Sequence, residues 1–469
     1  MPALATRPRN SRRWKRPPTL GGGGAAAYCC CCVAALAASS GDAAAQVVLP
    51  LVPPTLPPWN AQRVFEPLPF PYLWDTESRK DRAPEDTPVR TRQHPGYESI
   101  GVRAGSWMLH PAATAGVFYD SNLFSSNSAK QGGLAAVVNP SVTATSLWER
   151  HAFELKADLQ SKLYPEHSEL NETNARLRGR GRIDIRHDAM VLTRFEAAHL
   201  HEEVGSISSP AGAVRPTPYD LLSADATYRQ EFNRLTASAG LGIDSYNFGT
   251  TVAQNGTVID QSTRDGQIYF AHGRLDYAIS PLLGLFSALE LNRRDLRGSP
   301  AQSLDSSGYR TLSGVSLQLT RLVSAELAAG YSRQNFEAFS LGVAEGPAYR
   351  ASLVWSPSRV LDIQLRGIEM VTQATDTDAQ SIRVRALQLG FDYEFRRNIV
   401  LSVAGTYERD KFLTQPRSDR VYAARTELKY LLNRFGSIGL QHVFVRREST
   451  VPFANFDKHQ VGINVTAHY

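Results

Sequence analysis

No cysteine follows Cys32 in this chain, and its four cysteines, Cys29 to Cys32, stand side by side. They fall within residues 25–38, an apolar stretch of about 14 residues, shorter than the roughly 20 needed to cross a bilayer as a helix. Arg7, Arg9, Arg12, Arg13, Lys15 and Arg16 precede the stretch, and Ala43-Ala44-Ala45 offers small residues for cleavage before Gln46. The pattern predicts a cleaved signal peptide over residues 1–45. A lipoprotein signal needs a Leu-x-Gly/Ala-Cys context, which Ala26-Ala27-Tyr28-Cys29 does not supply. Once such a leader is removed, no thiol is left for disulfides, thiolate metal sites or nucleophilic catalysis.

Other absences narrow the field further. No later segment has 18 continuous apolar residues, which excludes a bundle of transmembrane helices. The formal charge of +6 looks like a nucleic-acid footprint, but the leader holds six basic residues and one acid, Asp42. Taking those from 51 and 45 leaves 45 basic against 44 acidic residues downstream, so no nucleic-acid partner is expected. No Gly-x-Ser-x-Gly, phosphate-cradling loop or His-Glu-x-x-His occurs, so neither a catalytic centre nor a cofactor is expected.

What is present begins with proline. Between Gln46 and Pro95 lie eleven prolines, among them Pro53-Pro54, Pro57-Pro58, Pro67, Pro69 and Pro71. Such a segment lacks the N–H donors for a sheet or helix, so residues 46–98 are expected to form an irregular periplasmic extension. A plug for a lumen or an anchor for a partner are the functional alternatives.

From about residue 99 to Tyr469 the chain becomes a series of segments with period-two alternation, each about 10 to 13 residues long. That is the pattern of transmembrane β-strands. The last segment, Asp457 to Tyr469, shows it plainly: Val461, Ile463, Val465, Ala467 and Tyr469 share one face, Gln460, Gly462, Asn464, Thr466 and His468 the other. Phe153/Leu155/Ala157/Leu159, Leu235/Ala237/Ala239/Leu241/Ile243 and Ile399/Leu401/Val403/Gly405/Tyr407 repeat it. An apolar outer face over a wet lumen requires this arrangement. Eight tight turns, such as Asn233-Arg234 and Arg396-Arg397-Asn398, alternate with nine longer polar loops. The 17 connections predict an all-β, antiparallel transmembrane barrel of about 18 strands, although 16 also fits, with both termini on the tight-turn side. Its first strand, near Trp107 to Ser121, should close against the last.

Arg176, Arg178, Arg180, Arg182 and Arg186 occupy alternate positions, interrupted by Asp184. On a strand these point one way, and the apolar or small residues between them assign the arginines to the lumen. Two readings stand: a cationic ladder drawing anionic solutes through a pore, or pairing with acids of neighbouring strands, for which Glu154, Asp158 and Glu196 are candidates. His199-Leu200-His201-Glu202-Glu203 could hold a metal, but reads better as a hydrated loop rim, and no metal site is assigned. Tyr119, Phe124, Tyr246, Phe248, Tyr331, Phe336, Phe339 and Tyr407 are expected to form an interfacial aromatic girdle. Terminal Tyr469 is expected to be the signal read by the outer-membrane barrel assembly machinery.

Several stretches carry a family resemblance: Gly101-Val-Arg103-Ala-Gly105-Ser106, Tyr119-Asp120-Ser-Asn122-Leu123-Phe124, Asn139-Pro140-Ser141 with Trp148-Glu-Arg150-His151, and Gly179 through Asp188. With them the chain after residue 99 resembles the β-barrel porin type 2 family of outer-membrane proteins. The resemblance implies residence in the outer membrane of a Gram-negative bacterium, among its lipids. It also implies an association with exopolysaccharide synthesis and export, and supplies no catalytic residues. The leading expectation is a porin-like channel supporting passage of a polysaccharide or anionic solutes. A non-conducting scaffold barrel bound to export components is the alternative, and an outer-membrane barrel enzyme the third.

Overall fold

The structure is a computed structural model that describes Val89 and residues 94–469, apart from 90–93 before them and 207–208, 211, 298–304, 321–322, 338–341, 374–380 and 414 within them. The expected signal peptide and nearly all of the expected proline-rich extension lie outside the described residues.

Eighteen long strands form the wall. β1 is Trp107–Asp120, β2 Gly133–Ser146, β3 Ala152–Leu163, β4 Glu172–Arg186, β5 Ala189–Glu202 and β6 Thr217–Phe232. β7 is Leu235–Phe248, β8 Gly266–Ser280, β9 Leu283–Leu296, β10 Ser306–Thr320, β11 Val323–Phe336 and β12 Val343–Ser358. β13 is Leu361–Gln373, β14 Ser381–Arg396, β15 Ile399–Phe412, β16 Ser418–Asn433, β17 Gly436–Ser449 and β18 Phe456–His468. Each pairs antiparallel with the next, and β18 returns to β1 in a register running from Ala112↔His468 to Asp120↔Gln460. The sheet is therefore closed and leaves no edge, which removes the exposed backbone donors and acceptors that a bilayer cannot satisfy.

The connections alternate as the polar and apolar pattern requires. Seven turns are two residues long and one spans 147–151; the nine loops on the other side run from five residues (413–417) to 17 (249–265). Register shifts in β4, β8, β10, β12, β14 and β16 all fall beside the tight turns, where an extra residue lets a short connection follow the twist of the strands. Asn233 opens one of these turns at φ 53°, a conformation that asparagine tolerates better than most residues.

The two faces of the wall differ sharply. Leu134, Leu222, Leu241 and Ile463 point outward and are at least half exposed, as a lipid-facing surface demands. Exposed aromatics gather at both ends of this surface. Tyr119, Tyr331, Tyr407 and Tyr422 lie toward the loops; Phe232, Trp355, Phe395, Phe435 and Tyr469 lie toward the turns. Inward positions are polar or small for the most part. An apolar exception joins Phe118, Val137, Val421, Val443, Val445 and Phe456.

Two residues that precede β1, Val89 and Ser99, touch inward-facing side chains at the turn end. The amide of Val89, itself buried, donates to the carboxylate of inward-facing Asp362 on β13. His94 is buried, and Ser99 bonds the ring of His110 at 2.9 Å. A short strand, Val102–Ala104, then folds back on Trp107–Leu109 through Gly105 at φ 71°. The first wall strand then runs from Trp107 to Asp120, where the alternation placed it.

Candidate functional site

Among the described residues the inner wall is a large polar surface, and β3–β4 is a highly charged arc of it. Alternation on β4 sends Leu177, Ile183 and Ile185 outward to exposed positions, so Arg176, Arg178, Arg180 and Arg182 share the inner face. Each has a carboxylate partner. Arg176 Nε lies 3.1 Å from Glu196 on β5, Arg178 3.1 Å from Asp158 on β3, and Arg180 3.9 Å from Glu154. Arg182 reaches Asp184 on its own strand at 3.1 Å, and Arg186, at the turn, approaches Asp188 at 3.6 Å and Gln230 at 3.1 Å.

This geometry brings all eight ladder and partner residues together in one three-strand arc. The arginines therefore do not stand as bare charges. They are also not sealed: the side chains of Arg180 and Glu154 are 44% and 37% exposed although both face inward. Pairs so wet contribute at most about 1 kcal/mol each, so the ladder shapes the field of the lumen more than it braces the wall. Lys156 lies between Glu154 and Asp158 on the same face, directly across from Arg178. Among the described residues it has no ion-pair partner within 4 Å, which leaves one positive charge uncompensated in the arc. Parity with Glu154 and Asp158 is the signal that could have identified it from sequence.

Charge continues around the wall. Arg194 pairs with Asp225 at 2.9 Å; Arg274 pairs with Asp276 at 2.6 Å and Glu326 at 3.1 Å; Glu290 pairs with Arg310 and, at 3.8 Å, with Arg350. Farther round, Glu408 on β15 shares its inner row with Val421 on β16 and Arg447 on β17. The inner face is thus a nearly neutral mosaic of ions in close pairs.

The loop-rim histidines disperse rather than converge. His199 bonds Asp220 at 2.7 Å, Glu202 turns inward to a buried pair with Arg264 at 2.5 Å, and Glu203 meets Lys162 at 2.5 Å. Among the described residues no group of three or more His, Cys, Asp or Glu side chains is arranged to hold a metal. The aromatic girdle needs a correction. Tyr246, Phe248 and Phe336 are buried on the inner face, and the first two pack with Leu200, Tyr219 and Leu221 beneath the guanidinium of Arg264. Phe124 belongs to a loop and sits edge-on to His167; Phe339 lies outside the described residues. Cross-strand pairing also joins two histidines outside that segment: His442 and His459 stack on the outer wall with ring nitrogens 3.1 Å apart.

A closed antiparallel sheet, apolar outside, charged inside and belted by aromatics at both ends, defines an outer-membrane β-barrel of the porin type. Within that class the chain belongs to the family described as "Putative beta-barrel porin 2", whose model matches residues 94–469. Among curated proteins none matches the chain. Solved structures with a similar course include OpdL of Pseudomonas aeruginosa, at 13% identity and TM-score 0.41, covering 77% of this chain and 99% of that one. OccK2 (OpdF) of the same organism has 12% identity and TM-score 0.44 over 77% and 98%. The siderophore receptor PirA, also from Pseudomonas aeruginosa, has 9% identity and TM-score 0.40 over 77% and 80%. At such scores none of them informs the detail of this lumen.

Proposed function

We propose that the barrel is a passive outer-membrane channel for small hydrophilic solutes, with a mild preference for anions set at the β3–β4 arc. The observation that carries this reading is the inward yet solvent-exposed ladder: water reaches Arg180 and Glu154 at the inner wall. Pairing of the five arginines argues for weak selectivity, and the unpaired Lys156 supplies its sign. Passage of a polysaccharide is the same reading with a longer solute, and a non-conducting scaffold is its rival.

Liposome swelling tests the channel, and reversal potentials in a salt gradient test the selectivity. Swelling in small neutral sugars is expected, with an anion preference of about twofold, as a single charge a few Å from a wet path would give. Lys156→Gln should abolish that preference, and Asp158→Asn should raise it by releasing Arg178. Impermeable liposomes holding a folded barrel would leave the scaffold reading standing instead.

A further inference from the structure

Five basic side chains stand together on the outer wall, just beyond the aromatic row at the loop end. Arg385 on β14 is the cross-strand partner of Arg409 on β15, which is in turn the partner of Arg420 on β16. One step farther out, Arg383 partners Lys411. The adjacent outward row toward the middle of the wall is Leu387, Tyr407 and Tyr422, all exposed and in the same register, with the two tyrosine rings 5.4 Å apart.

The available acids do not neutralise this patch. Glu369 on β13 takes Arg385 at 3.0 Å and Arg383 at 3.8 Å, and the carbonyl of Glu345 also accepts from Arg383. Glu448 on β17, across from Arg420, is held by Arg446 at 2.8 Å, and Asp457 by Lys130 at 2.6 Å. Arg409, Lys411 and Arg420 have no ion-pair or hydrogen-bond partner among the described residues, and all three are exposed. Like charges directly opposite one another destabilise a sheet, so a row of three arginines calls for an anion from outside the chain.

Height along the wall indicates where that anion sits. The outward residues from Phe395 to Leu387 are apolar or aromatic and cover about 26 Å of strand at ~3.3 Å per residue, which is about 20 Å of height at the usual tilt of barrel strands. Arg385 therefore lies at the edge of the apolar band, where an arginine is tolerated and lipid headgroups begin. Three neighbouring strands span about 10 Å, wider than one phosphate requires and suited to a headgroup with two phosphates at opposite ends of a disaccharide. Arginine binds phosphate oxygens through paired, planar donors.

We propose that this patch binds the phosphorylated glycolipid of the outer leaflet, lipopolysaccharide. Arg385, Arg409 and Arg420 take its phosphates, while Leu387, Tyr407 and Tyr422 lie against its acyl chains. The assignment rests on the reading of the chain as an outer-membrane channel with its long loops outward.

The test compares the wild-type protein with an R385Q/R409Q/R420Q variant. Both are reconstituted in vesicles of phosphatidylcholine alone, with phosphatidylglycerol, or with lipopolysaccharide, then extracted in detergent for native mass spectrometry. Wild-type protein should keep lipopolysaccharide in preference to phosphatidylglycerol, and the variant should bind it about a hundredfold more weakly, with unchanged heat-modifiable migration in phosphatidylcholine. Equal retention by both proteins, or no preference over phosphatidylglycerol, would overturn the proposal while leaving the channel intact. A wild-type protein that never inserts into any of the vesicles would overturn both readings.

Discussion

Lys162 sits almost wholly out of solvent between two carboxylates, Glu172 at 2.8 Å and Glu203 at 2.5 Å. Its position differs from that of the ladder arginines in the way that decides energies: a wet pair can lose a partner cheaply, a buried one cannot. Lys162→Met would leave Glu172 and Glu203 facing each other, with Lys458 the remaining positive charge that acts on Glu203. The expected cost is about 3–5 kcal/mol, as for other buried pairs stripped of one partner, read as a lower urea midpoint of the heat-modifiable barrel. Adding Glu172→Gln and Glu203→Gln should restore much of the loss, because the uncompensated charges go with them. Gly179 shows a different constraint on the same arc. A Cβ there would fall 1.9 Å from the Phe195 ring that covers it from β5, so a larger residue at 179 would have to displace that ring.

At the scale of elements, the loop 249–265 is anchored by short-range bonds that respond to pH. The carboxylate of Asp260 accepts from the backbone N–H and the hydroxyl of Ser262, each at 2.9 Å, just ahead of the turn Ser262–Arg264. Those two bonds, the backbone one first, hold the Asp260 carboxyl below its usual range. A depressed folded value means that the bonds are intact above the ordinary aspartate pKa and lost as pH falls through the lower one. Faster amide exchange at residues 260–264 is therefore expected only below about pH 4, with exchange in β7 and β8 unchanged. Asp260→Asn should show little of that acid-dependent acceleration.

Strands and turns were legible because alternation is a local property: counting from Val461 to Tyr469, or from Leu235 to Ile243, assigns the faces of β18 and β7 without knowledge of any neighbour. The same count, carried on from Ile243, puts Tyr246 and Phe248 on the inner face, and grouping them by aromatic type concealed it. Pairs set by distant chain segments leave no local trace. Arg264 meets Glu202 across 62 residues through the succession β5 to β8, and Gln460 meets Asp120 across 340 only because the sheet closes. The candidate partners of the arginine ladder could be named because β3, β4 and β5 are consecutive hairpins.

For the whole molecule the decisive contact is the seam between β1 and β18. Tyr469 stacks on Phe435 at 5.9 Å on the exposed turn-end rim, and its amide donates to the carbonyl of Pro111 on β1. Deleting Tyr469 is expected to reduce the yield of heat-modifiable barrel severalfold while leaving export across the inner membrane intact. Normal yield of the shortened protein would remove Tyr469 from the list of assembly determinants. Across the seam, Thr114 and Thr466 bond at 2.9 Å although 352 residues separate them. Joining ends so distant costs about 5 kcal/mol in chain entropy, but that cost rises only logarithmically, by about 0.6 kcal/mol for a doubling of length. An additional hairpin inserted anywhere in the series would leave every partner across the seam in place and add far less than that. The girth of such a barrel can accordingly drift by whole hairpins over evolutionary time while the contact that closes it is inherited unchanged.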